Sequence, residues 1–161
     1  MNRSMSNSTK KSFIRYLTAA FLIILIDRIS KAVIIHTPSC RVTQWLTFSP
    51  MLNRGFAWSI FAAEDSVTFI IVSLTATIFF LFFSCYSIYR YASHPQTTSL
   101  WGEVLIISGA LSNLMDRYIY KGVVDFIVIS CGSLSWPSFN IADAAICIGA
   151  LLMFIQIMKE Q

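Results

Sequence analysis

The sequence predicts an all-α membrane protein: four transmembrane helices in a single domain, residues 1–161, with a small sheet or curved hairpin on the outer surface. Three observations carry that prediction. Of the 161 residues, 56% are hydrophobic and 12% charged, whereas soluble domains run near 25% charged. Residues 67–89 contain no charged side chain, and a run of about 20 apolar residues is what a hydrocarbon core of about 30 Å requires. Residues 36–65 break the helical pattern: strand-forming side chains fill 43–48, and Pro50, Asn53 and Gly55 punctuate the stretch as turns.

Residues 1–12 are polar, carry Arg3, Lys10 and Lys11, and read as a disordered cytoplasmic tail. The first helix is placed at 13–35, about 35 Å at about 1.5 Å per residue. Its residues 16–26 are uncharged; Asp27, Arg28 and Lys31 interrupt it near the far end. A basic start and an apolar stretch also fit a cleaved signal peptide. Against that, Asp27-Arg28 follows the stretch where a small-x-small cleavage site would stand, and Thr37-Pro38-Ser39 before Cys40 does not resemble a lipid-attachment site. The outer β segment is placed at about 40–61, with Phe56, Trp58, Ile60 and Phe61 suited to a membrane–water boundary, followed by a short turn at 62–65. The second helix is 67–89, and a polar loop with Arg90, His94 and Pro95 leads to the third, 99–117. Glu103 falls in its first turns, close enough to the interface to snorkel. Residues 118–138 form a loop with a strand-like piece at 123–129, then Gly132, Ser133, Ser135, Trp136 and Pro137. The fourth helix is 139–158.

Four spans place both termini on one side. Lys10, Lys11 and Arg15 flank the first helix there, with Arg90 in the middle loop and Lys159 at the end, so the positive-inside rule puts the termini in the cytoplasm. Arg41, Arg54, Arg117 and Lys121 fall on the other side, which leaves the N-terminal cluster as the main support. The loops 36–65 and 118–138 then lie outside, and Asp27, Lys31, Asp116, Asp125 and Asp143 converge near that face. An ionisable side chain at the edge of hydrocarbon is costly and marks a functional site by default. Topology accounts for most of the net charge of +4, so no nucleic-acid partner is expected. Cys40, Cys85, Cys131 and Cys147 lack ligand spacing, and only His36 and His94 could join them; neither a metal nor a cofactor is expected.

Asp143 follows Asn140 by three residues at the start of the last helix, a capping arrangement. It is read either as a cap alone or as a carboxylate held ready by the free N–H groups of the helix end. Asp125 interrupts the β-branched and aromatic run 123–129; it is either a solvated loop residue or a reactive one. If the two meet, they share one proton near neutral pH. One then activates water while its protonated partner polarises a scissile carbonyl, the aspartic-protease logic. Asp27 and Lys31 lie one turn apart, in the order that favours an ion pair, and read as a buried structural pair. Gly109, Asn113 and Asp116 share a helix face by spacing; Asn113 suits substrate backbone or a carboxylate, and Arg117 suits Asp116 or another aspartate. Asn53 and Gly55 form a turn with a free amide, a peptide clamp. A Ser–Lys pair of Ser59 and Lys31 competes poorly with Asp27 for the lysine, and Cys40 and Cys131, both outside, are open to bridging. The runner-up function is a non-enzymatic ion or proton pathway through Asp27, Asp116, Asp125 and Asp143; the clustering of these acids at one end, against a polar-poor 67–89, weighs against it.

Five motifs, in order and at the right spacing, resemble lipoprotein signal peptidase, the signal peptidase II family. They are Asp27 with Lys31; Asn53-Arg54-Gly55-Phe56-Ala57-Trp58-Ser59; Gly109-Ala110-Leu111-Ser112-Asn113-Leu114-Met115-Asp116-Arg117; Gly122-Val123-Val124-Asp125-Phe126; and Trp136-Pro137-Ser138-Phe139-Asn140-Ile141-Ala142-Asp143. The resemblance implies a four-helix inner-membrane aspartyl endopeptidase of bacteria with its site at the outer face. It implies cleavage of diacylglyceryl-modified prolipoproteins just before the lipidated cysteine, so membrane lipid is a partner, and a monomer is expected. It puts the catalytic dyad on Asp125 and Asp143, substrate contacts on Asn53, Gly55, Asn113, Arg117 and Asn140, and a β-cradle on the outer segment. Asp27, Lys31, Gly109 and Asp116 are expected in supporting roles. Ala110 and Ser112 replace family glycines, small for small, and Trp58 replaces a phenylalanine with a bulkier ring that bears on the substrate groove.

Overall fold

The computed structural model describes residues 7–55, 65–93, 99–132 and 134–160. Four helices carry the chain: α1 (Asn7–Ile34), α2 (Ser66–Ser93), α3 (Trp101–Tyr120) and α4 (Ile141–Glu160). Between them run β1 (Cys40–Arg41), β2 (Leu46–Asn53), β3 (Val123–Cys131) and β4 (Leu134–Ser135). Residues 7–12, expected as tail, are instead the first turns of α1, where Arg15 donates to the Lys11 carbonyl and the Ser12 hydroxyl. Asp65 starts α2 by accepting the Thr68 N–H at 2.8 Å and its hydroxyl at 2.7 Å, an N-cap that satisfies one orphan donor of the helix.

The β structure is larger than expected, so the protein is mostly helical with a small sheet rather than all-α. The four strands form one antiparallel sheet in the order β1-β2-β3-β4. The strand-like piece expected inside a loop at 123–129 is a long inner strand, paired with β2 from Leu46↔Ile129 to Asn53↔Val123. The register slips between Phe48 and Met51, around Pro50, which has no N–H to give the ladder. Half of the sheet therefore comes from the last connection of the chain. β2 lies between Cys40 on β1 and Cys131 on β3, and both cysteines are free thiols. Phe56, Trp58, Ser59, Ile60, Phe61, the turn before Asp65, His94, Pro95 and Ser133 lie outside the described residues.

The helices are inverted relative to a soluble protein. On α2, Phe79 and Phe82 are 68% and 72% exposed, whereas Asp27, Lys31, Glu103 and Asp116 are fully buried; apolar residues outside and charges inside is the arrangement that lipid selects. α2 and α4 are long and apolar enough to cross a membrane, with mean hydropathies of 2.3 and 2.2, and only 17% of each such window is buried in protein. α3 is the central helix, packed against α1, α2 and α4. Glu103 does not snorkel: it is buried and ion-paired with Arg90 at the end of α2. A carboxylate so placed needs a partner more than it needs water.

Close approach of α3 and α4 depends on glycine. A Cβ on Gly109 would overlap the Ala142 carbonyl oxygen, and one on Gly149 would lie 2.6 Å from the Gly102 carbonyl oxygen. Small residues at such crossings let backbones touch in lipid. α3 ends at Lys121 in the left-handed conformation, φ 59°, which turns the chain into β3 under the end of its own helix.

Candidate active site

Strand β3 and the start of α4 are tied together before any functional side chain is considered. The N–H groups of Phe126 and Ile127 both donate to the Phe139 carbonyl, at 3.1 and 2.8 Å, and the Phe139 N–H returns to the Ile127 carbonyl at 3.1 Å. Phe139 thus acts as an extra rung of the sheet just ahead of α4. Asn140 then caps the helix: its carboxamide oxygen accepts the Asp143 N–H at 2.8 Å, and its own N–H donates to Asp143 Oδ2 at 3.2 Å. The capping box read from the sequence is therefore present.

The same asparagine reaches Asp125. Asn140 Nδ2 donates to Asp125 Oδ1 at 2.7 Å, and Asn53 Nδ2, from the end of β2, donates to Asp125 Oδ2 at 3.0 Å. Asp125 is 1% exposed among Val123, Val124 and Phe126, so it is no solvated loop residue. Burial, and secondarily the neighbouring Asp143 charge, push its carboxyl up to about 6, against the pull of the two asparagine amides. Asp143 Oδ1 accepts from Asn113 Nδ2 of α3 at 2.7 Å. Asp125 and Asp143 line one cavity of about 430 Å³ together with Asn53, Asn113, Arg117 and Trp136. Its floor is small and apolar, with Ala76, Ala110 and Ala144 contributed by α2, α3 and α4.

A second group of charges stands behind the first. Lys31 Nζ donates to Asp27 Oδ2 at 2.7 Å, Asp116 Oδ2 at 2.8 Å and Asn113 Oδ1 at 2.9 Å, which uses all three ammonium hydrogens. Asp27 also accepts the Ser112 hydroxyl at 2.6 Å and the Ala142 N–H at 2.9 Å. Asp116 also takes Arg28 and the Val124 N–H. Asp27 and Lys31 form the buried pair that their spacing implied, and Lys31 is committed to these partners rather than to a nucleophilic serine.

Several expectations are corrected. The Gly55 amide, read as free, donates to Asn53 Oδ1 at 3.0 Å. Among the described residues Arg117 pairs neither with Asp116 nor with another carboxylate; Nη2 donates to the Gly55 carbonyl at 2.5 Å and Nη1 to that of Arg54 at 3.4 Å, with its charge facing Asp125 and Asp143. Of the residues expected to touch substrate, Asn53, Asn113 and Arg117 border the cavity. Asn140 is fully buried beneath the two carboxylates. Arg28, the partner of Asp116, was not singled out from sequence, although a second cation beside Asp27 in an apolar helix was the available signal.

The sequence model of the family described as Signal peptidase (SPase) II matches residues 19–159. The chain is 35% identical over 160 residues to a protein named lipoprotein signal peptidase from Janthinobacterium sp. (strain Marseille), covering 95% of this chain and 93% of that one. It is 37% identical over 144 residues to one of the same name from Thermodesulfovibrio yellowstonii, covering 87% and 92%. Two solved structures, described as bacterial membrane enzymes determined by the in meso method at 2.3 and 1.9 Å resolution, superpose with TM-scores of 0.76 and 0.66. They share 25% and 27% identity with this chain, cover 91% of it, and are themselves covered to 88% and 94%.

Proposed function

The chain belongs to the signal peptidase II family, and on that premise we propose that Asp125 and Asp143 are its catalytic dyad, acting on a prolipoprotein whose cysteine already carries diacylglycerol. The observation that supports this most is the convergence of two carboxylates, from a strand and a helix start, on one cavity with Asn140 bonded to both. Two acids so close retain one proton between them.

The reaction follows from that single proton. The ionised carboxylate takes a proton from water while the water oxygen bonds to the carbonyl carbon before the lipidated cysteine. The protonated partner gives its proton to the carbonyl oxygen, forming a gem-diol. Collapse breaks the C–N bond: the carboxyl now protonated gives its proton to the leaving amine, while its ionised partner takes one from a gem-diol hydroxyl, which yields the new carboxylic acid and restores the singly protonated pair. The route needs neither metal nor cofactor. Asn53, Asn113 and Arg117, on the cavity border, contact the substrate backbone, while Asn140 and Gly55 hold the site from behind.

All four helices span the bilayer in this reading, α1 and α3 hiding their charges against each other. The termini face the cytoplasm, the sheet and dyad lie at the outer face, and the protein acts as a monomer in lipid without nucleic acid. Acyl chains that stay in the bilayer oblige the scissile bond to be read at the interface, where the dyad sits. The test is to incubate the purified protein with a diacylglyceryl-modified prolipoprotein and with its unmodified form. Release of the signal peptide from the modified form alone is expected; no release from it, or equal release from both, would overturn the substrate assignment.

A further inference from the structure

Among the described residues, the charges packed around the dyad come from four elements. α1 supplies Asp27, Arg28 and Lys31, α3 supplies Asp116 and Arg117, β3 supplies Asp125 and α4 supplies Asp143. α2 brings none to this end, since its single charged residue, Arg90, pairs with Glu103 at the other. Arg54, beyond β2, lies over the Phe69 ring at 5.3 Å. Among these described residues four carboxyls stand against three cations, and Asp27, Asp116 and Asp125 are buried, so full ionisation leaves one unmatched negative charge. Arg28 and Lys31 match Asp27 and Asp116 by direct contact. Arg117 then balances a dyad that carries one charge, not two.

The link from this set to the dyad is one side chain long. Lys31 Nζ meets Asn113 Oδ1 at 2.9 Å, and Asn113 Nδ2 meets Asp143 Oδ1 at 2.7 Å. An ammonium can only donate, so Asn113 must turn its oxygen to Lys31 and its NH₂ to Asp143. That orientation favours an Asp143 oxygen that accepts.

We propose that Lys31 is a positioning residue: through Asn113, and as the counter-charge of Asp27 and Asp116, it holds the Asp125–Asp143 pair at a single negative charge. The inference rests on the dyad reading and deepens it. A substitution that changes the charge of the set moves the pH range in which the pair is singly ionised, and the direction follows the sign of the charge removed. Lys31→Met removes a cation and moves both limbs of the pH–rate profile to higher pH. Asp27→Asn removes an anion, keeps the shape and the acceptor for the Ala142 N–H, and moves both limbs to lower pH. Each displacement is about one pH unit, a tenfold change in proton affinity. The double variant Asp27→Asn/Lys31→Met returns the profile to that of the parent.

The experiment measures pH–rate profiles for the three variants in lipid, with the protonated-carboxyl band in infrared difference spectra as a second readout where turnover is slow. Asp125→Asn identifies the band. Opposite displacements that cancel in the double variant are expected. A folded Asp27→Asn protein whose profile and band titrate like the parent would overturn the inference, as would displacement of both single variants in one direction. Full activity in Asp125→Asn would instead overturn the dyad itself.

Discussion

Asn140 and Asp143 are bonded to each other twice, N–H to carboxamide oxygen at 2.8 Å and N–H to carboxylate at 3.2 Å. The side-chain NH₂ of Asn140 points the other way and donates to Asp125. One residue therefore caps α4 and ties Asp125 to Asp143, the proposed dyad, and two substitutions separate the roles. Asn140→Ala loses both and should cost about 1 kcal/mol of stability. It should also lower kcat by on the order of a hundredfold, the usual cost of one lost site donor. Asn140→Ser restores the cap but is too short to reach Asp125. Its thermal stability in detergent should return to near the parent while kcat stays low. Recovery of kcat in the serine variant would reduce Asn140 to a cap.

Asp125→Asn and Asp143→Asn should each lower turnover by roughly 10⁴-fold or more, because members of a catalytic unit fail together. Membrane insertion and detergent extraction should be unchanged, since both substitutions preserve shape. Measuring the double variant as well decides whether the two act as one: it should be no slower than either single variant. Appreciable turnover in either would remove the dyad.

The raised Asp125 carboxyl fixes the sign of a stability effect. Its folded value of about 6 exceeds the usual 3.8, so the folded state binds the proton more tightly than the unfolded one. That contribution is favourable below pH 3.8 and is lost as pH rises to about 6, after which it stays flat. The loss is on the order of 3 kcal/mol. Asp125→Asn has no proton to lose. Relative to that variant, the parent should lose apparent Tm as pH climbs through this window and hold a constant gap above it. Parallel Tm curves across the window would show that Asp125 titrates as an ordinary surface acid.

The sequence revealed the apolar helices and the acids because both are local signals. A charge-free stretch such as 67–89 has one sensible environment, and an aspartate inside 123–129 has no apolar explanation. Pairings were harder to read. Nothing local in 123–131 says that it joins β2, because strand partners are set by contacts distant along the chain, Asn53 to Asp125 among them. The Gly55 amide looked free because an Asx turn uses a side chain to satisfy its own neighbour, which a residue string does not distinguish from an open turn. Glu103 read as snorkelling because its partner Arg90 lies across a loop. The boundary of α1 was missed by its polar first turns, where helix continues without an apolar stripe to announce it.

Gly109 offers the last prediction, and its sign depends on which of two effects wins. Replacing glycine by alanine inside a helix favours folding by about 1 kcal/mol. Here the new Cβ would overlap the Ala142 carbonyl oxygen, a backbone atom that cannot rotate aside. Overpacking of that kind costs typically about 1–3 kcal/mol, and the Asp27 bond to the Ala142 N–H holds that residue against α1 as well. Overlap should win, so Gly109→Ala should be less stable than the parent and slower, because the displaced peptide adjoins Asp143. Gly149→Ala makes a similar intrusion, 2.6 Å from the Gly102 carbonyl oxygen, but at the far end of the α3–α4 contact. It should lose stability while keeping kcat. Thermal unfolding and kcat measured on both variants separate the local effect from a general loosening of the helix pair: equal losses of kcat in the two would mean that Gly109 matters to packing alone.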